Sequence, residues 1–102
     1  MITSKQRAKL KSIGANTDAL YQMGKSEIDE NYIIQINTAL DAKELIKIKI
    51  LETALYTAGE AASNLAEKTD SEVVQVIGSK VLLYRKSRKS DKRELSKIIE
   101  KM

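Results

Sequence analysis

The side chains of this 102-residue chain that could do chemistry are carboxylates, lysines, arginines, tyrosines and hydroxyls, because histidine and cysteine are absent. Without an imidazole there is no serine triad and no conventional base near neutral pH. Without a thiolate there is no cysteine nucleophile, no disulfide framework and no Cys-ligated zinc or iron–sulfur centre. The expectation is a protein that is not an enzyme and carries neither metal nor cofactor. The acids Glu27, Asp29 and Glu30 imitate a carboxylate metal site, yet acids gather at helix starts because they meet the positive end of the peptide dipoles.

What remains is cation chemistry, and the cations are unevenly spread. The net charge of +4 resolves into +4 over residues 1–25, −5 over 26–84 and +5 over 85–102. Basic ends around an acidic middle suit an anionic partner, nucleic acid before membrane, because a concentrated field attracts a polyanion more strongly than the mean charge implies. At the first end stand Lys5, Arg7, Lys9 and Lys11, whose period of two spreads them around a helix, so that only Lys5 with Lys9 and Arg7 with Lys11 share a face. At the second, Arg85, Lys86, Arg88 and Lys89 form the densest cluster, read as a flexible arm for phosphate contacts or as a solubilising tail. Lys47 and Lys49 alternate with isoleucines and would line either an RNA-facing or a merely solvated sheet face. Tyr21 and Tyr84 could stack on a base, or bury their rings and leave the hydroxyls wet.

The elements that must position these groups are legible from periodicity. Thr3-Ser4-Lys5-Gln6 has the form of a capping box, so a helix should run from Ser4 to Ile13 and stop near Gly14, with Leu10 and Ile13 inward and the basic residues outside. Asp18 to Met23 reads as a strand leading into a turn at Gly24. Ile28, Tyr32, Ile36 and Leu40 recur every four residues and predict a helix over Asp29–Ala42, capped by Ser26 or Asp29. Glu44–Leu51 alternates as a strand, with Ile46, Ile48 and Ile50 on one side and the two lysines on the other. Helical spacing returns over Thr53–Thr69, where small residues allow close approach to a sheet. Glu72–Ile77 and Lys80–Arg85 flank Gly78-Ser79, a two-residue hairpin of type II′. The expected class is α/β, in the order α-β-α-β-α-β-β, with a mixed four-stranded sheet and helices packed on it.

One domain is expected over residues 1–87, followed by a basic tail over 88–102. Arg85–Ser90 lacks apolar residues and reads as a mobile linker. Beyond it, Asp91-Lys92-Arg93-Glu94 resembles a second capping box, and Leu95, Ile98, Ile99 and Met102 recur at helical spacing, so a short amphipathic helix could dock on the domain or on a protein partner. An apolar fraction of 42% supports a folded globule. No run is long enough for a membrane span or an export signal, which makes a cytoplasmic protein the default.

The segments QMGKSEIDENYIIQINTAL, ELIKIKIL and above all EVVQVIGSKVLLYR resemble the YhbY-like proteins, the stand-alone bacterial form of the CRM (chloroplast RNA splicing and ribosome maturation) domain, over about Thr3 to Ser87. The resemblance implies a fold similar to the carboxy-terminal domain of translation initiation factor three. It also implies an RNA-binding function, in bacteria associated with precursors of the large ribosomal subunit. The family's RNA-binding feature is a GxxG loop, matched here by Gly24, Lys25, Ser26 and Glu27 with the second glycine replaced by glutamate. Such a loop works by letting a sugar-phosphate backbone approach main-chain amides at a helix start. On this reading Gly24, Lys25, Ser26, Lys5, Lys9, Lys47, Lys49, Arg85, Lys86, Arg88 and Lys89 would contact ribosomal RNA. The alternative is a protein-interaction or self-associating module that uses the terminal amphipathic helix.

Overall fold

The computed structural model describes residues 2–24 and 28–102. Its elements are α1 (Ser4–Ala15), β1 (Tyr21–Met23), α2 (Glu30–Lys43), β2 (Leu45–Ile50), α3 (Ala58–Thr69), β3 (Glu72–Ile77), β4 (Lys80–Tyr84), a 3-10 turn (Ser90–Lys92) and α4 (Leu95–Glu100). The expected α/β order holds, with a fourth helix after it. The sheet order is β1-β2-β4-β3, with β1 parallel to β2 and the β3–β4 hairpin folded back antiparallel so that β4 sits between β2 and β3.

Alternation along the strands loads both faces of this sheet. On one face, Ile46, Ile48, Ile50, Val81 and Leu83 meet Ile36 and Leu40 of α2 and Ala61, Ala62 and Leu65 of α3. On the other, Leu45, Val74, Leu82 and Tyr84 meet Leu10 of α1 and Ile99 of α4. The four-residue repeat of α2 is realised, with Ile28, Ile36 and Leu40 buried and Tyr32 packed beside them. Asp29 caps this helix by accepting the Tyr32 amide at 2.8 Å.

Several expectations about element ends need correction. Gly14 does not stop α1. It lies inside the helix, and a methyl group there would collide with Leu82, so the glycine lets helix and sheet approach each other. Helix α3 starts at Ala58 rather than Thr53, because Thr57 and Glu60 form a reciprocal capping box (2.9 and 3.2 Å). Leu55 is consequently left in a loop, 65% exposed. Gly78 has φ of 56° while Ser79 stays out of the left-handed region, consistent with the type II′ hairpin.

Arg7 was expected on the outer side of α1. It reaches inward instead, donating from one guanidinium nitrogen to the carbonyls of Val73 (2.6 Å) and Val74 (2.8 Å). These carbonyls flank an irregularity in β3, where Val74 is inserted between residues that pair with Leu83 and Leu82.

The largest correction concerns the chain after β4, which is fastened rather than mobile. Glu44, at the carboxyl end of α2, is 1% exposed and has φ of 65°. A non-glycine residue adopts that backbone only where its surroundings impose it. Its carbonyl accepts the Arg85 amide at 2.9 Å, and its carboxylate accepts the amides of Ser87 (2.7 Å) and Ser96 (2.9 Å). The anticipated capping box at Asp91–Glu94 does not form. The first turn of α4 is served instead by Glu44, a residue from another helix. Of the terminal apolar stripe, Ile99 is buried and Leu95 packs on the α1-side core, while Ile98 and Met102 point outward.

Replacing Glu44 by Gln removes one acceptor and sets an amide group against a backbone N–H. Glu44→Gln should lower stability by about 2 kcal/mol in urea unfolding and raise hydrogen exchange at Ser87 and Ser96 more than in β2.

Candidate nucleic-acid interface

The parallel strands β1 and β2 run toward the same end of the sheet, and the hairpin turn meets them there, since the Ile50 amide donates to the Ser79 carbonyl at 2.6 Å. Gly24 follows β1 at this end, next to Leu51 and Thr53 of the β2–α3 connection. A side chain at Gly24 would find only ordinary contacts, 3.4 Å to Leu51 and 3.8 Å to Thr53, and its φ is not left-handed. Packing and backbone strain therefore do not account for glycine at this position. Lys25, Ser26 and Glu27, which complete the motif, lie outside the described residues.

Register assembles what sequence spacing alone did not. Gln22 pairs with Lys49, Lys49 with Lys80, and Lys80 with Ile77, so one residue from each of the four strands stands in a row across the α1 side of the sheet. Gln22, Lys49, Lys80 and Ile77 are all exposed. Helix α1 covers the inner part of this side, through Leu10 over Leu45, Leu82 and Tyr84, and leaves the row open. Lys47, half-buried, stands one step inward opposite Leu82. Lysines directly opposite each other repel across an antiparallel pair, and neither Lys49 nor Lys80 has an ion-pair partner among the described residues. Lys80, Gln22 and Ile77 were missed by the sequence reading because membership of the row depends on strand order.

The Arg85–Lys89 cluster lies at the opposite end of the sheet, after β4 and against the carboxyl end of α2. Three of its four cations are engaged within the fold. Arg85, with a side chain 10% exposed, binds Asp41 at 2.9 Å, the Asn37 Oδ1 at 2.6 Å and the Thr69 carbonyl at 2.6 Å. Arg88 grips both carboxylate oxygens of Asp41, at 2.7 to 3.2 Å, and its amide adds a bond at 3.0 Å. Lys86 pairs with Glu100 at 2.9 Å across an exposed surface. These contacts replace the expected flexible arm with a structural knot. Lys89 is exposed, as are Lys5 and Lys9 on α1. Lys5 sits at the α1 end that faces α4, where Gln6 donates to the Ile99 carbonyl at 2.9 Å, so the structure does not bring it together with Gly24.

The hydrogen bonds from Arg88, followed by those from Arg85 and its charge, hold the Asp41 carboxyl well below the usual carboxylate range despite its burial. Burial pushes the Tyr32 and Tyr84 hydroxyls up to about 12. Tyr84 belongs to the α1-side core, and Tyr21, Tyr32 and Tyr56 pack against the other core, so all four tyrosine rings serve packing. Among the described residues no group of three or more acids could hold a metal ion, and no helix is long and apolar enough to cross a membrane.

A family model, the CRS1 / YhbY (CRM) domain, matches residues 2–85. The chain is 35% identical over 95 residues to the probable RNA-binding protein YqeI of Bacillus subtilis, covering 93% of this chain and 99% of that one. It is 29% identical over 91 residues to the probable RNA-binding protein PA4753 of Pseudomonas aeruginosa, covering 89% and 88%. The solution structure of the hypothetical protein SAV1595 from Staphylococcus aureus superimposes with a TM-score of 0.73 at 42% identity, covering 92% of this chain and 98% of that one.

The knot at Asp41 has a pH signature. Because its native carboxyl titrates below the unfolded value of about 4, the stability it contributes is present above that pH and is lost progressively as pH falls below it. Asp41→Asn should cost about 3 kcal/mol at neutral pH, by leaving the largely buried Arg85 without its counter-charge. Its unfolding free energy should then fall less steeply than that of the wild type as pH is lowered from 5 to 2, measured by urea titration.

Proposed function

The chain belongs to the CRS1 / YhbY (CRM) domain family, and from that premise we propose that it is a non-catalytic RNA-binding protein that contacts ribosomal RNA during maturation of the large ribosomal subunit in the cytoplasm. The observation that carries the RNA reading is the row of exposed side chains on the α1 side of the sheet. Lys49 and Lys80 stand opposite each other, unpaired with acid, at the same end as Gly24. A polyanion resolves the repulsion between such cations and gains from both. Names of the relatives support the same reading, since YqeI and PA4753 are both called probable RNA-binding proteins.

In this reading Lys47, Lys49 and Lys80 neutralise phosphates, and Gly24 lets the sugar-phosphate backbone approach the main chain. Lys25 and Ser26, next in sequence, contribute a cation and a hydroxyl, and the negative charge of Glu27 opposes them. Lys9 extends the field, and Lys5, Lys86, Arg88 and Lys89 add to it at the far end of the molecule. Arg85 shapes the domain rather than the contact. Of the terminal apolar stripe, Ile98 on α4 and Met102 just past it remain outward, and this small pair does not favour the adaptor alternative.

Filter binding to fragments of large-subunit ribosomal RNA tests the proposal. Lys49→Ala and Lys80→Ala should each weaken binding and reduce the slope of log affinity against log salt by about 0.7 to 0.9. Gly24→Ala should leave stability within about 0.5 kcal/mol while lowering affinity. Glu27→Gly, which restores the family's second glycine, should raise it. Absence of binding at low salt would refute the reading.

A further inference from the structure

Between the last turn of α1 and the sheet lies a concave surface that none of the phosphate contacts explains. Its volume is about 220 Å3. Gly14 and Leu82 form its inner wall, Ile77 its outer wall, and Gln75, Lys47 and Lys80 its rim. The groove exists because Gly14 has no side chain, which brings the end of α1 down onto Leu82, while Ile77 stands 60% exposed on the outermost row of the sheet.

We propose that this groove receives one unpaired nucleobase of a single-stranded RNA segment, an inference that rests on the RNA-binding reading and assigns the strandedness of its ligand. A planar base is largely apolar on its faces and polar on its edge. The groove offers aliphatic walls for the faces and the Gln75 amide, both donor and acceptor, for the edge. The rim lysines fix the identity of the occupant by charge. Lys47 and Lys80 are without acid partners among the described residues, and Lys80 is the registered neighbour of both Ile77 and Lys49. A base held against Ile77 thus carries its own phosphate to the lysine row. Bases inside a duplex are stacked and cannot enter, so the groove discriminates by strandedness more than by sequence.

The test uses the full chain with two RNAs, an oligouridylate of about eight nucleotides and a fully paired hairpin. Ile77→Ser should weaken oligouridylate binding by roughly fivefold, leave hairpin binding and the salt slope unchanged, and be rescued by Ile77→Met. Lys80→Gln should weaken both RNAs and lower both salt slopes. In methyl NMR of the wild-type protein, oligouridylate should shift Ile77 and Leu82, and the hairpin should not. If Ile77→Ser weakens both RNAs equally, or oligouridylate binds without moving these methyl groups, the groove is not a base site although the RNA-binding reading stands. If neither RNA binds the wild type, that reading fails and the groove assignment fails with it.

Discussion

The architecture depends on two carboxylates at the end of one helix. Asp41 and Glu44 face the chain that emerges from β4, and between them they take the Arg85 and Arg88 guanidinium groups and the amides of Ser87, Arg88 and Ser96. Burying such acids is costly unless every lone pair finds a donor. Here the donors come almost entirely from residues 85–96, so the cost of burial becomes a constraint on where that segment lies. Once it is in place, Ile99 reaches the α1-side core and the second face of the sheet acquires its cover.

This arrangement also decides which cations face outward. The segment after β4 is the most basic of the chain, yet three of its cations, Arg85, Lys86 and Arg88, are answered by Asp41 and Glu100. The middle of the sequence is acidic overall, yet it supplies Lys47, Lys49 and Lys80, which have no such answer among the described residues. Local net charge alone therefore does not locate the free cations of the sheet face.

Much of the fold was legible because it is written in short-range patterns. The four-residue repeat of α2, the alternation of β2 and the Gly78-Ser79 turn each fix an element from its own residues. Thr57 and Glu60 carried an equally local signal for the start of α3, masked by Leu55 standing at a plausible helical position. The fastening of the segment from Arg85 through Ser87 was not legible, since its acidic partners Asp41 and Glu44 lie more than forty residues away. A run without apolar residues looks the same whether solvent or a buried carboxylate answers it. The site divides in the same way. Lys47 and Lys49 follow from alternation within one strand, whereas Lys80, Gln22 and Ile77 join them only through strand order.

The irregularity at Val74 and the reach of Arg7 bear on how the molecule keeps to itself. Strand β3 forms an outer edge of the sheet, and an open edge is a template on which a stray strand from another chain can assemble. Where the extra residue interrupts the ladder, the spacing of backbone groups no longer matches that of a regular incoming strand. Two carbonyls at that point are already occupied by a cation from α1. The edge is thus blunted in its middle both by the irregularity and by the arginine from the helix beside it, just before the exposed Val76 and Ile77.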